Sequence, residues 1–287
     1  MLIYSFGSLG SRAINFAIYP ILTFFLLKSE LGYYDLIVNT IFLVIPLATL
    51  QISDGIYRAI LPLSDKSEKK DIISTGFNFI LLSTFTILLI VLLIVNFILP
   101  LEYGFVVFTM AFLFAVNQSI KLISRGLRKN RNYVISDIIY SFSFVLCLVI
   151  LLKFYGLGLL GVLISFIAAN VFSIIYLTFS TGLPSYLNFK AFPKKRLYNP
   201  LLRYSMPLIP NTLSWWMVGS ANTYIITIIL GLNFNGIYAV AFKFSSIVYI
   251  LNKIFSLAWQ DQLIGGSNDD AKYNSKVFNR LLFFLLI

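Results

Sequence analysis

The sequence predicts an all-α polytopic membrane protein, and three observations carry that prediction. Of the 287 residues, 59% are hydrophobic and only 11% are charged, whereas soluble domains carry roughly a quarter charged residues. The mean hydropathy is +0.88. The few charges are also widely spaced: 30 uncharged residues separate Asp71 from Glu102, 36 separate Lys153 from Lys190, and 39 separate Arg203 from Lys243. A helix needs ~20 mostly apolar residues to cross ~30 Å of hydrocarbon. The apolar runs are continuous and do not alternate every second residue, so they specify helices and not barrel strands. A soluble enzyme, a disordered chain and a nucleic-acid-binding domain are all disfavoured.

Taken in order, the expected spans are 2–27, 33–57, 72–98, 103–124, 133–153, 157–180, 202–230 and 236–259. The first holds Arg12 inside its apolar run, which is the wrong place for the basic end of a cleavable signal. The second and fourth are framed by 18 uncharged residues each, Asp35 to Asp54 and Glu102 to Lys121. Basic turns precede the third and fifth. A stretch rich in Lys and Arg, residues 181–200, separates the sixth span from the seventh, whose Pro207 and Pro210 should break or kink it. A ninth span opens near Lys276 and stops at Ile287, too soon for a crossing, so C-terminal truncation is expected. The expected domains are a six-helix lobe (1–180), a basic cytoplasmic linker (181–200) and an incomplete second lobe (201–287).

Charge gives the orientation. The connections after spans 2, 4, 6 and 8 hold 16 of the 22 basic residues, and those after spans 1, 3, 5 and 7 hold only Lys28 and Lys153. Such a bias in short loops places the N-terminus and the basic loops in the cytoplasm, against anionic lipid. Basic clusters without a soluble, aromatic-studded surface do not indicate nucleic acid. There is no histidine and a single cysteine, Cys147, so imidazole catalysis is impossible. No cofactor or metal is expected, nor is an enzyme: a membrane glycan polymerase or transferase would need large loops or an Asp-x-Asp motif, and Asp269-Asp270 are adjacent.

The chain also partly repeats. Tyr4-Ser5 opens the first span and Gly32-Tyr33-Tyr34 the second; Tyr204-Ser205 and Gly236-Ile237-Tyr238 do the same for the seventh and eighth. Six spans lie between the two starts, so the copies run in parallel, related by an axis along the membrane normal. Two lobes around a central cavity follow.

Two stretches carry a family resemblance. The opening Ile3-Tyr4-Ser5-Phe6-Gly7-Ser8-Leu9-Gly10-Ser11-Arg12, with Pro20 and Leu31-Gly32-Tyr33-Tyr34-Asp35, resembles the start of bacterial polysaccharide biosynthesis proteins. The run Arg203-Tyr204-Ser205-Met206-Pro207-Leu208-Ile209-Pro210-Asn211, then Ser214-Trp215-Trp216 and Gly236-Ile237-Tyr238, is similar to Wzx-type O-antigen and capsule flippases of the MOP exporter superfamily. The resemblance implies a plasma-membrane transporter that flips undecaprenyl-diphosphate-linked oligosaccharides by alternating access. Polysaccharide polymerase and chain-length machinery are the partners it implies. A multidrug or cation exporter of the same superfamily is the alternative.

A diphosphate crossing hydrocarbon needs buried positive charge. Arg12, about ten residues into its span, is the leading candidate, and Lys243 the second. Lys121, Arg125 and Lys129 recur every fourth residue and would recruit headgroups or anchor the helix end. One of Trp215 and Trp216 would stack on a sugar. Asp35, with Asn39 one turn on, would take a coupling proton or Na⁺. Asp54 and Arg58 read as an i, i+4 ion pair. Asn15, Asn78, Asn117, Gln118, Asn211 and Asn222 would line a wet path or join helices by hydrogen bonds.

Overall fold

The computed structural model describes residues 18–98, 102–188 and 195–244. Every regular element among them is helical. In chain order these are α1 (residues 18–25), α2 (Lys28–Thr49), α3 (Ile52–Ile60), α4 (Lys66–Ile98), α5 (Gly104–Gly126), α6 (Asn130–Val149, continued by a π-helical turn, Ile150–Phe154), α7 (Gly158–Thr181), a 3₁₀ turn (Leu183–Tyr186), α8 (Lys195–Ser205), α9 (Leu208–Leu230) and α10 (residues 232–244). Among the described residues, six helical segments, one of them α8 with α9, are long and apolar enough to cross a membrane. The protein is therefore a multi-pass membrane protein of all-α fold. The chain divides into two compact units, Met1–Val240 and Ala241–Ile287, and the following concerns the first.

Local chemistry sets the helix ends. Asp65 accepts from the Ser67 and Glu68 N–H groups, so α4 starts six residues before the apolar run. At ~1.5 Å per residue its 33 residues extend ~50 Å, more than hydrocarbon requires. Gly182 adopts φ 63° after α7, a left-handed stop that glycine adopts without strain.

Two of the expected spans are broken. Span 33–57 is α2 and α3, separated at Leu50 and Gln51, both left-handed with φ 50° and 55°. Pro46 inside α2 has no N–H to give, and the Thr49 hydroxyl donates to the Ile45 carbonyl, which weakens the last turn. Span 202–230 breaks at Met206-Pro207, as expected; Pro207 caps α9 and Pro210 lies in its first turn. The linker's last residues already belong to α8, an amphipathic helix that buries Leu201 and Ser205 and exposes Arg196 and Arg203. It lies against α3 at Gly55, where a Cβ would fall 2.6 Å from Ser205 Oγ and 3.1 Å from the Leu201 carbonyl.

The core has two parts. Ile37, Ile41, Ala111, Ala115, Phe144, Val162 and Phe166 pack among α2, α5, α6 and α7. Ile52, Ile56, Ile60, Ile73, Ile80, Ile123 and Leu201 join α3, α4, α5 and α8. Between α5 and α7 lies a buried polar knot. Asn117 Nδ2 donates to Asn170 Oδ1 at 2.9 Å, Ser173 Oγ donates to Asn117 Oδ1 at 3.0 Å, and Asn170 Nδ2 donates to the Phe166 carbonyl at 2.8 Å. Asn117 thus joins helices and lines no wet path. Asn117→Leu strands an Asn170 acceptor and frees a Ser173 donor, each buried, and should cost about 2–4 kcal/mol. A lowered unfolding midpoint in detergent, largely recovered when Asn170→Leu and Ser173→Ala are added, checks this.

Candidate functional site

The break between α2 and α3 turns polar side chains toward α5. Thr49, Gln51, Ser53 and Asp54 line one side of a cleft of about 80 Å³, and Gln118 and Ser119 the other, with Ile45, Pro46, Ala115 and Leu122 between. Gln118 is exposed although Asn117 and Ser119 beside it are buried, so it faces this opening. Positions 54 and 58 of α3 and 118, 122 and 125 of α5 each follow helical spacing, which aligns one face of each helix along the cleft.

Two arginines stand along these faces, Arg125 beside two tyrosine rings and Arg58 over one. The Arg125 guanidinium lies 5.1 Å from the Tyr57 ring centre and 5.6 Å from that of Tyr133. Asp54 is within its electrostatic reach. Arg58 lies 4.3 Å over the ring of Tyr204, and stacks there in place of the expected pairing with Asp54. A guanidinium held by its face keeps its N–H edge for a planar or tetrahedral anion. Amides and a carboxylate beside it are the groups that hydrogen-bond sugar hydroxyls. Sequence reasoning gave Arg58 only an ion pair with Asp54 and gave Tyr57, Tyr133 and Tyr204 no place beside an arginine, because only the fold brings them together.

The other cations of α5 have different work. Lys121 is buried and its Nζ lies 2.6 Å from Asp137 Oδ1 of α6, with the Tyr140 ring at 5.4 Å. Lys129 Nζ donates to the Thr181 carbonyl at the end of α7, where a cation complements the helix dipole. Lys121 and Lys129, two of the three residues of the expected recruitment face, thus each meet a partner within the protein.

Asp35 is buried at the contact of α2 with α9. Its Oδ2 accepts from Asn39 Nδ2 and from Thr223 Oγ1, both at 3.0 Å. Asn39 Oδ1 accepts from Ser220 Oγ at 2.8 Å, and its carbonyl accepts from Trp216 Nε1 at 2.8 Å. Trp216 thus belongs to this helix contact, edge-on to Tyr224, whereas Trp215 is 67% exposed. Asn78 donates to the Asn188 carbonyl and Asn222 to the Tyr238 hydroxyl. Arg12 and Asn15 lie outside the described residues. Lys243 belongs to the second compact unit, of which residues 241–244 are described. The 16 basic residues credited to cytoplasmic loops include Arg58 and Arg125, which the structure puts on this wall.

A family model described as "Polysaccharide biosynthesis protein" matches residues 1–259. Neither a curated protein nor a solved structure matches the chain.

Proposed function

Since this chain belongs to the polysaccharide biosynthesis protein family, we propose that it carries lipid-linked oligosaccharide units across the plasma membrane by alternating access, and catalyses no covalent step. One observation supports this above all: a helix break among membrane-spanning helices, flanked by Arg58, Arg125, Asp54, Gln51 and Gln118. Irregular backbone and ionisable side chains among membrane-spanning helices are tolerated where they line a protein-walled or wet path. The guanidinium groups suit a diphosphate, the amides and carboxylate suit sugar hydroxyls, and a prenyl tail can stay in lipid. Arg12 is assigned the same diphosphate. Lys243 is a second cation for it, Trp215 a sugar platform, and Asp35 a coupling-ion site. The N-terminus and basic loops face the cytoplasm and its anionic lipids, and polymerase and chain-length proteins take the product.

A cation exporter would set acidic groups where this wall sets arginines, so the wall favours anionic cargo. The test is reconstitution in liposomes with fluorescent undecaprenyl-diphosphate-linked oligosaccharide, reading access of an external glycosidase to the sugar. Flipping above that of protein-free vesicles is expected. No flipping, together with uptake of a cationic dye, would give the alternative its support and remove this one.

A further inference from the structure

Between α2, α4 and α5 lies a groove of about 330 Å³, walled by α2 from Tyr33 to Val44, α4 from Leu88 to Val95 and α5 from Gly104 to Ala111. Ile37, Ile41, Leu88 and Ala111 are buried, whereas Val91, Leu92 and Val107 are half-buried and leave one side open. The described residues that wall it are apolar apart from Tyr33 and Thr40. The Thr40 hydroxyl donates to the Leu36 carbonyl at 2.7 Å and meets the Tyr224 hydroxyl at 2.6 Å, so it is already satisfied. An ordered water needs about two to four polar partners, so the groove does not suit water. Left empty, its walls would forfeit their contacts. It calls for an apolar occupant.

Size and placement narrow the choice. An apolar cavity of roughly 150 Å³ takes one benzene ring, so this volume takes about a dozen carbons. A helix about 10 Å across cannot enter it. The α2 wall runs about 16 Å, half of the ~30 Å of hydrocarbon, so the groove serves one leaflet. Beside its deep end Phe108 stacks on Phe112 at 6.4 Å, and Phe85 meets both edge-on at 5.6 and 6.1 Å. A fatty acyl chain matches this length and volume, and an undecaprenyl chain is several times longer. The shallow end lies at the first turns of α2 and α5, where Tyr33 and Tyr103 suit the interface. Glu102 is within electrostatic reach of both rings, and Glu30 of Tyr103. Lys28, five residues before Tyr33, is on another face of α2. Two carboxylates at this rim repel an anionic headgroup and attract an ammonium.

We propose that the groove holds one acyl chain of a resident phospholipid with a zwitterionic, amine-bearing headgroup, in the leaflet at the α2 N-terminus. The chain completes the packing of α2 against α4 and α5, and the ammonium lies at Glu30 and Glu102. No cargo takes part, so the site stands or falls separately from the transport reading. Full-length protein in mild detergent, given equal amounts of phosphatidylethanolamine and phosphatidylglycerol, should retain one phosphatidylethanolamine in native mass spectrometry. Val91→Trp and Val107→Trp each put an indole into the groove from a different helix, and each should lower that occupancy at least about tenfold. Restored phosphatidylethanolamine should raise the unfolding midpoint of the delipidated parent and leave that of the filled variants unchanged. The milder Val91→Phe decides the matter if neither tryptophan variant accumulates. Glu102→Gln should weaken the preference over phosphatidylglycerol by about fivefold, the reach of an exposed charge pair. A parent that retains no lipid overturns the proposal, as does retention that a folded, filled variant leaves unchanged. Preference for phosphatidylglycerol, or displacement of the bound lipid by undecaprenyl phosphate, overturns it too.

Discussion

Arg125→Ala should reduce oligosaccharide flipping about 100-fold or to the protein-free background, because two charge-assisted bonds to one phosphate contribute about 2.7 kcal/mol. The argument rests on how the side chain is held. Tyr57 and Tyr133 flank its guanidinium at 5.1 and 5.6 Å, so its fork is preorganised and little rotamer freedom is lost when an anion arrives. Arg125→Lys keeps the charge but replaces the planar fork by a flexible point charge, and should retain about a tenth of the rate. Arg58 is exposed and stacked on one ring, so Arg58→Ala should act in the same direction with a smaller loss. Initial flipping rates in liposomes, normalised to inserted protein, measure all three. An unchanged rate in Arg125→Ala would remove the arginine wall from the mechanism.

What was legible in the sequence was whatever depends on one segment at a time. Apolar length gave the spans and Pro207 gave the break before α9. Pro46 with Thr49 carries the same kind of signal for the break before α3, but the surrounding apolar run hid it. Helical spacing put Lys121, Arg125 and Lys129 on one face, yet positions 4 and 8 residues apart drift by about 40° and 80° on a helix of 3.6 residues per turn. That drift is enough to send the first to Asp137 and the last to the Thr181 carbonyl. Likewise i, i+4 spacing pointed Arg58 at Asp54, while the ring of Tyr204, far along the chain, offered it a better place. The repeat was visible as two short matches, but that its Gly32 and Gly236 pack against each other is a property of tertiary packing. Partners remote in sequence decide what a charge does, and no local pattern encodes them.

The same reasoning gives a large stability effect at Lys121. Its side chain is 8% exposed and that of Asp137 is 26% exposed, so the ammonium has little water to fall back on. Asp137→Ala leaves that charge uncompensated beside Tyr140, and should destabilise the protein by about 3 kcal/mol, near the lower end for a broken buried pair because Asp137 reaches solvent. Removing both charges is a different matter: Lys121→Met with Asp137→Leu keeps the volume and discards the desolvation cost, and should return stability to within ~1 kcal/mol of the parent. Unfolding midpoints of the three proteins in one detergent give the comparison, and flipping rates give its functional counterpart. If the pair serves only to join α5 to α6, the double variant flips at the parental rate. If Asp137→Ala unfolds like the parent and the double variant stops flipping, Lys121 belongs with Arg125 on the anion path and the pair is not structural.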